Sequence, residues 1–154
     1  MSITVDSNIL LSLFAKDSLY RQSAAFLEKY SAHDYIINDC IYLELGVHFK
    51  SLALLDKSLD TLEVTLLEKH ESSLPEMLKA WESYLRKKKF VCPACNRSIS
   101  PECPKCHSPL SFRQRVLTDF LIGGFALANS DGIITHDPAY YKNYFPQLKI
   151  LSLK

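Results

Sequence analysis

The chain has 154 residues, 47% of them hydrophobic and 23% charged, with a formal net charge of +1. That is about one domain's length, enough for a layered α/β core, and a second module fits only as a small insertion. No run of about 18 apolar residues occurs, and the N-terminus passes at once into a strand-like Ile3-Thr4-Val5 with Asp6 behind it, a pattern that fits neither a membrane span nor a signal peptide and predicts a cytoplasmic protein.

Ile3 to Asp6 reads as a buried strand, and Asn8 to Phe14 as the start of a helix whose apolar run faces the sheet. Asp17 or Ser18 can cap a helix running to about Tyr30, with Tyr20, Ala24 and Leu27 on one face. Tyr35 to Ile37 is a second strand. Asn38 or Asp39 then caps a helix to about Lys50, which places Glu44 nearly two turns from its start. Residues 51–62 are predicted helical and Val64 to Leu67 a short strand. Ser73-Leu-Pro-Glu76 is a capping box with proline in the first turn, so a helix runs from there into Arg86, Lys87, Lys88 and Lys89, whose charges suit a helix C-terminus.

A further helix opens at Thr118 or Asp119 and ends near Asn129, and its Gly123-Gly124 pair is expected to serve close packing against the sheet. Ser130 to Gly132 is a turn, Ile133 to Thr135 a strand, and Ile150 to Leu153 an edge strand. Alternating strands and helices imply an α/β fold with a mostly parallel sheet and helices on both faces. Ligands of such sheets gather at the carboxyl ends of the strands, where Asp6 and Asp137 are expected.

Four acids, Asp6, Glu44, Asp119 and Asp137, stand at predicted strand ends or in helices through almost the whole length. Carboxylates brought together at a sheet end repel one another, and a hard divalent cation with oxygen ligands keeps them ionised. Hydrolysis of a phosphodiester is the chemistry such a set suits best. Asp6 is the first choice as a direct ligand, with Glu44, Asp119 and Asp137 completing the shell, and Asn8 and Thr135 orienting carboxylates or water. Taken singly, each acid also has an ordinary reading: Asp6 in an Asx-turn, Glu44 solvated on a helix, Asp119 in a helix first turn, Asp137 in a loop. His136 is read as a solvated loop histidine or a phosphate contact, and Tyr140, Tyr141, Tyr144 and Phe145 as core and rim packing or base-stacking groups.

The contexts Ile-Thr-Val-Asp6-Ser-Asn8, Asn38 to Glu44, Thr118-Asp119 with Gly123-Gly124, and Thr135-His136-Asp137 together resemble the PIN-domain nucleases, in particular the VapC-type toxin branch. The resemblance covers residues 1 to about 89 and 113 to 154, with all four acids in the family's order. It implies a three-layer PIN-like fold with a mostly parallel central sheet flanked by helices, and Mg²⁺ or Mn²⁺ held by Asp6, Glu44, Asp119 and Asp137. It further implies endoribonuclease activity on tRNA, rRNA or mRNA, a cognate antitoxin, and a homodimer.

The intervening residues 90–112 carry Cys92-Pro-Ala-Cys95 and Cys103-Pro-Lys-Cys106, a Cys-x2-Cys-x7-Cys-x2-Cys array. Two such turns can wrap a tetrahedral ion, so the segment reads as a small inserted four-cysteine module that resembles a zinc ribbon, with Phe90 and Phe112 across its base. Iron would accept the same ligands, while disulfides disagree with a cytoplasmic location. His107 is expected to be a bystander and Cys40 a small buried apolar residue. Residues 86–115 hold eight Lys or Arg and only Glu102 as an acid, giving +7 against −6 for the remainder. Even with Zn²⁺ and four thiolates the module stays positive, which nominates Arg97, Lys105, Arg113 and Arg115 for RNA contact. A structural staple or a protein-docking surface would use the same module differently.

The reading is a Mg²⁺- or Mn²⁺-dependent endoribonuclease with a structural Zn²⁺ module, VapC-like in kind. A PIN nuclease of ribosomal-RNA maturation and a non-catalytic RNA- or protein-binding module are the alternatives.

Overall fold

The computed structural model describes residues 1–67, 74–87, 90–92, 94–95, 97–109 and 117–153. In chain order the elements are β1 (Ser2–Val5), α1 (Ser7–Ala15), α2 (Tyr20–Lys29), β2 (Asp34–Ile37), α3 (Asp39–Gly46), α4 (Leu52–Thr61), β3 (Val64–Leu66) and α5 (Leu74–Lys87). There follow β4 (Phe90–Val91), β5 (Ser98–Ile99), α6 (Leu117–Asn129), β6 (Ile133–Ile134) and α7 (Pro138–Tyr144).

The central sheet has the order β3-β2-β1-β6 and is parallel throughout, with Ile3 opposite Tyr35, Tyr35 opposite Val64, and Val5 opposite Ile134. Its strands are short apolar runs. Ile3, Val5, Ile37, Ile133 and Ile134 are all almost completely buried, as expected where helices cover both faces of a parallel sheet. The chain builds outward from β1 to β3 and then returns to lay β6 on the other side of β1, so the strand order reverses between β1 and β6. That reversal opens a crevice at the carboxyl ends, and Asp6 and Asp137 follow its two strands.

Several elements differ from expectation in instructive ways. The edge strand expected at Ile150 to Leu153 is a single parallel bridge between Ile150 and Ile133. The α2 helix buries Ser23 and Phe26, leaves Tyr20 partly exposed, and begins at Tyr20 instead of directly after Asp17. Asn38, not Asp39, caps α3 by accepting the Ile41 N–H at 3.1 Å, and the helix stops at Gly46, short of Lys50. The helix α7 was not foreseen, although Asp137-Pro138 carries its signal: Asp137 caps the helix and proline occupies its first turn.

The glycines of α6 do pack closely, but against other parts of the helical layers and not against the sheet. A Cβ at Gly123 would strike the ring of Phe145, and one at Gly124 would strike the side chain of Met77 on α5. Phe120, fully buried on the same helix, sits among Trp81, Tyr140 and Tyr144 at centroid distances of 5.0, 5.5 and 5.4 Å. This aromatic cluster fixes the rotation of α6 and so the position of Asp119.

Between α5 and α6 lies a separate antiparallel pair, β4 and β5, with Phe90 opposite Ile99 and Val91 opposite Ser98. The capping box at Ser73, the lysines 88 and 89, Phe112, Arg113 and Arg115 fall outside the described residues. Among the described residues no helix is long and apolar enough to cross a membrane.

Candidate active site

Asp6 follows directly on β1 and takes the N-cap position of α1, yet its side chain makes no capping bond. The carboxylate is instead turned into the crevice and is only 5% exposed. Its Oδ2 accepts three hydrogen bonds, from Thr135 Oγ1 at 2.6 Å, Asn8 Nδ2 at 2.8 Å and Tyr141 OH at 3.3 Å. Oδ1 is met by the Ser7 hydroxyl at a long 3.4 Å, and is the oxygen better placed to take a further ligand.

The supporting groups are themselves held. Asn8 Nδ2 also reaches Thr135 Oγ1 at 3.2 Å, and its Oδ1 accepts the His136 backbone N–H at 3.0 Å. Thr135 Oγ1 accepts the Asp137 N–H at 2.9 Å. These bonds tie the end of β6 to the start of α1, and Asn8 and Thr135 both donate to the same Asp6 oxygen. Tyr141 is the contributor that sequence reasoning did not assign to the site. Its burial at 2% exposure matches the core-packing expectation, and only the approach of α7 to β1 reveals its hydroxyl on Asp6.

Burial pushes the Asp6 carboxyl up to about 6; the Thr135 hydrogen bond opposes this, while the charges of Glu44 and Asp119 add to it. Glu44 from α3 and Asp119 from the first turn of α6 are therefore near enough to act on Asp6. Burial first, then the Asp6 charge, raises the Tyr141 phenol well above its usual value, keeping it a hydrogen-bond donor. Asp137 accepts the Tyr140 N–H at 3.2 Å through Oδ1 and thereby caps α7. His136 is neither simply solvated nor free to swing: Nε2 meets Ser23 Oγ at 2.7 Å, the ring lies edge-on to Phe26, and burial lowers its basicity.

Among the described residues no three Cys, His, Asp or Glu side chains are gathered closely enough to hold one metal ion. The chemistry of the donors at the crevice nonetheless suits a hard divalent cation: all are oxygens, Asp6 is desolvated, and neighbouring carboxylates repel its charge.

In the segment between α5 and α6 the thiols come together in two pairs, which are not gathered into one metal-binding group among the described residues. Cys92 lies at the backbone N–H groups of Cys95 and Ala94 and at the Cys95 thiol, which hold its pKa below the usual thiol value. Cys106 is lowered likewise, first by the Ser108 hydroxyl, with Sγ and Oγ 3.3 Å apart, and also by the Cys103 thiol. Each pair sits in a tight turn, closed by Cys92 N–H to Arg97 O at 2.9 Å and Cys103 N–H to Ser108 O at 2.9 Å. His107, with φ of 57°, is a left-handed turn residue. All five cysteines are free thiols, and half-buried Cys40 has its thiol acidity suppressed by burial. Arg97 and Lys105 are exposed on this segment.

The strand order, the reversal beside β1 and the helices on both sides of the sheet make a three-layer α/β fold with a parallel central sheet. Solved structures agree. A chain of VapBC-1 from nontypeable Haemophilus influenzae superposes with a TM-score of 0.62 at 15% identity, over 99% of this chain and 98% of that one. A chain of VapBC2 from Rickettsia felis, solved bound to a DNA fragment from their promoter, gives 0.57 at 14% identity, over 98% of each. No protein-family model matches the sequence, and no curated protein does.

Proposed function

We propose that this chain is a Mg²⁺- or Mn²⁺-dependent endoribonuclease of the PIN type, VapC-like in role, that hydrolyses phosphodiester bonds in tRNA, rRNA or mRNA. The observation that carries the reading is Asp6: a buried carboxylate at the strand reversal, with three donors on one oxygen and the charges of Glu44 and Asp119 acting on it. Burying a carboxylate among like charges costs stability, and a bound cation turns that cost into binding energy.

Asp6, Glu44, Asp119 and Asp137 are assigned to the metal, with Asn8, Thr135 and Tyr141 holding Asp6 in place. Asp137 divides its oxygens between this role and the α7 cap. When bound, the cation would activate a water and neutralise phosphate oxygens, leaving the protein to fix geometry. The protein's own contribution is the rigid junction of β1, α1 and β6, which aims one Asp6 oxygen outward while the other is saturated.

The segment between α5 and α6 is assigned a structural Zn²⁺ held by Cys92, Cys95, Cys103 and Cys106. The pairing of the thiols, with Cys92 and Cys106 held below the usual thiol pKa by N–H groups and a hydroxyl facing sulfur, supports it. Arg97, Lys105, Arg113 and Arg115 are assigned to RNA. Because the structurally similar proteins are VapBC assemblies, a cognate antitoxin is the protein partner proposed, and a homodimer the assembly. The test is incubation of purified protein with a mixed RNA pool in Mg²⁺, Mn²⁺ or EDTA. Cleavage is expected only with metal, giving 5′-phosphate and 3′-hydroxyl ends, and an intact pool in both metals would sink the nuclease assignment.

A further inference from the structure

We propose that Ser23 and His136 are positioning residues for Asp6: the side-chain bond between them fixes the turn after β6, and through that turn the Asn8 amide that donates to the carboxylate. The proposal rests on the cation site assigned above and deepens it by naming what holds its central carboxylate in register from outside the cluster.

The relay begins at Asn8, whose amide is used at both ends. Nδ2 donates to Asp6 Oδ2 at 2.8 Å and to Thr135 Oγ1 at 3.2 Å, while Oδ1 accepts the His136 backbone N–H at 3.0 Å. That N–H decides which way the amide faces. Turned over, the amide would set its oxygen against the carboxylate and its NH2 against the His136 N–H, two repulsive contacts in place of two attractive ones. The orientation of Asn8 is therefore only as secure as the position of His136.

His136 lies between Thr135, which donates to Asp6, and Asp137, which caps α7, yet its own side chain reaches α2. Nε2 meets Ser23 Oγ at 2.7 Å, and the ring stands edge-on to Phe26 at a centroid distance of 6.2 Å. Both partners are buried, Ser23 completely. Packing does not wedge the ring in place, because it lines two cavities, one of about 680 Å³ shared with Asn8 and Asp17 and one of about 630 Å³ shared with Lys142 and Leu151. With open space beside it, the ring is held chiefly by its hydrogen bond. A fully buried hydroxyl left without that partner would lose its hydration uncompensated, so the pair has a standing reason to stay closed. The links run from Ser23 on α2 to His136 on the turn, to Asn8 on α1, to Asp6 at the end of β1. Helix α2 supplies no carboxylate to the cluster, and its contribution to the site is this grip on the turn.

The test uses the full chain with four readings. Mn²⁺ affinity is followed by electron paramagnetic resonance of the free ion, cleavage of RNA as kcat and KM, RNA affinity by fluorescence anisotropy in EDTA, and the Asn8 side-chain amide by NMR of metal-free protein, as its rate of exchange with water. Ser23→Ala and His136→Leu each remove one end of the bond. Both are expected to weaken Mn²⁺ binding and lower kcat about tenfold, the scale on which groups that orient metal-binding carboxylates act. KM and RNA affinity should not change, and exchange at the Asn8 amide should quicken. His136→Gln restores a group that reaches the Nε2 position and can donate or accept, and should return Mn²⁺ affinity, kcat and Asn8 exchange toward wild type. The double variant Ser23→Ala/His136→Leu should lose no more than either single one. A Ser23→Ala protein shown folded by thermal denaturation, with wild-type Mn²⁺ affinity and Asn8 exchange, would overturn the relay. So would a His136→Gln protein as impaired as His136→Leu, which would make ring packing the cause. Absence of both Mn²⁺ binding and cleavage in the wild type would overturn the cation site instead, while the metal-free Asn8 amide would still decide the relay.

Discussion

Asp6 stores free energy that a cation can use. Its carboxyl is raised from 3.8 to about 6, a difference of about 3 kcal/mol between its protonation states. The folded protein therefore holds a proton that the unfolded chain has already lost, and metal-free stability should fall by about 3 kcal/mol as pH rises from below 3.8 through about 6. Asp6→Asn removes the charge, while the amide oxygen can still accept from Thr135, Asn8 and Tyr141. Without metal at pH 7 the variant is expected to be more stable than wild type by up to about 3 kcal/mol, and RNA cleavage should fall by orders of magnitude. Chemical denaturation with and without Mg²⁺, beside cleavage assays, checks both parts. A variant that is destabilised, or that still cuts RNA, would remove Asp6 from the centre of the site.

Element packing offers an asymmetric test in α6. Gly123 and Gly124 both lack room for a Cβ, but the obstacle at Gly123 is the Phe145 ring, buried at 1% exposure, whereas at Gly124 it is the flexible thioether of Met77. Overpacking costs about 1–3 kcal/mol when neighbours cannot move, and methionine adapts readily. Gly123→Ala should therefore lose stability in that range and Gly124→Ala distinctly less, read as denaturation midpoints. Because Asp119 rides on the first turn of α6, Gly123→Ala should also depress cleavage. The segment between α5 and α6 yields a second test at this scale. One zinc per chain is expected by elemental analysis, lost on replacing Cys92 and Cys103 by serine. Chelation should raise amide exchange in residues 90–112 while the α/β body stays protected, since the segment has little apolar core of its own. Finding neither zinc nor iron would reject the metal.

At the scale of the whole molecule, charge is divided: residues 86–115 carry +7 and the rest −6. An acidic body repels RNA while the basic segment attracts it, so the positive segment should govern association and the carboxylates the reaction. Replacing Arg97, Lys105 and Arg113 by alanine should weaken RNA binding and flatten its dependence on salt by up to about three phosphate contacts, each of which contributes about 0.7 to the slope of log K against log salt on single strands. Turnover at saturating RNA should change much less. An unaltered salt slope would make the segment a structural staple or a protein-docking surface.

Short-range regularities made much of this molecule legible before any coordinates. Alternating apolar runs and capping residues located β1, β2, β3 and most helices, and the strand-end position of Asp6 with Asn8 two residues later marked the crevice, because these depend on neighbours along the chain. The Cys-x2-Cys pairs were legible for the same reason, each being a local turn. Tertiary structure alone decided the rest. That Tyr141 donates to Asp6, that Thr135 and Asn8 share one carboxylate oxygen, and that α6 packs its glycines on Met77 and Phe145 all involve residues distant in sequence. No periodicity encodes such pairings; they follow from how β6 and α7 settle beside β1, and from a sheet order set by the burial of every strand at once.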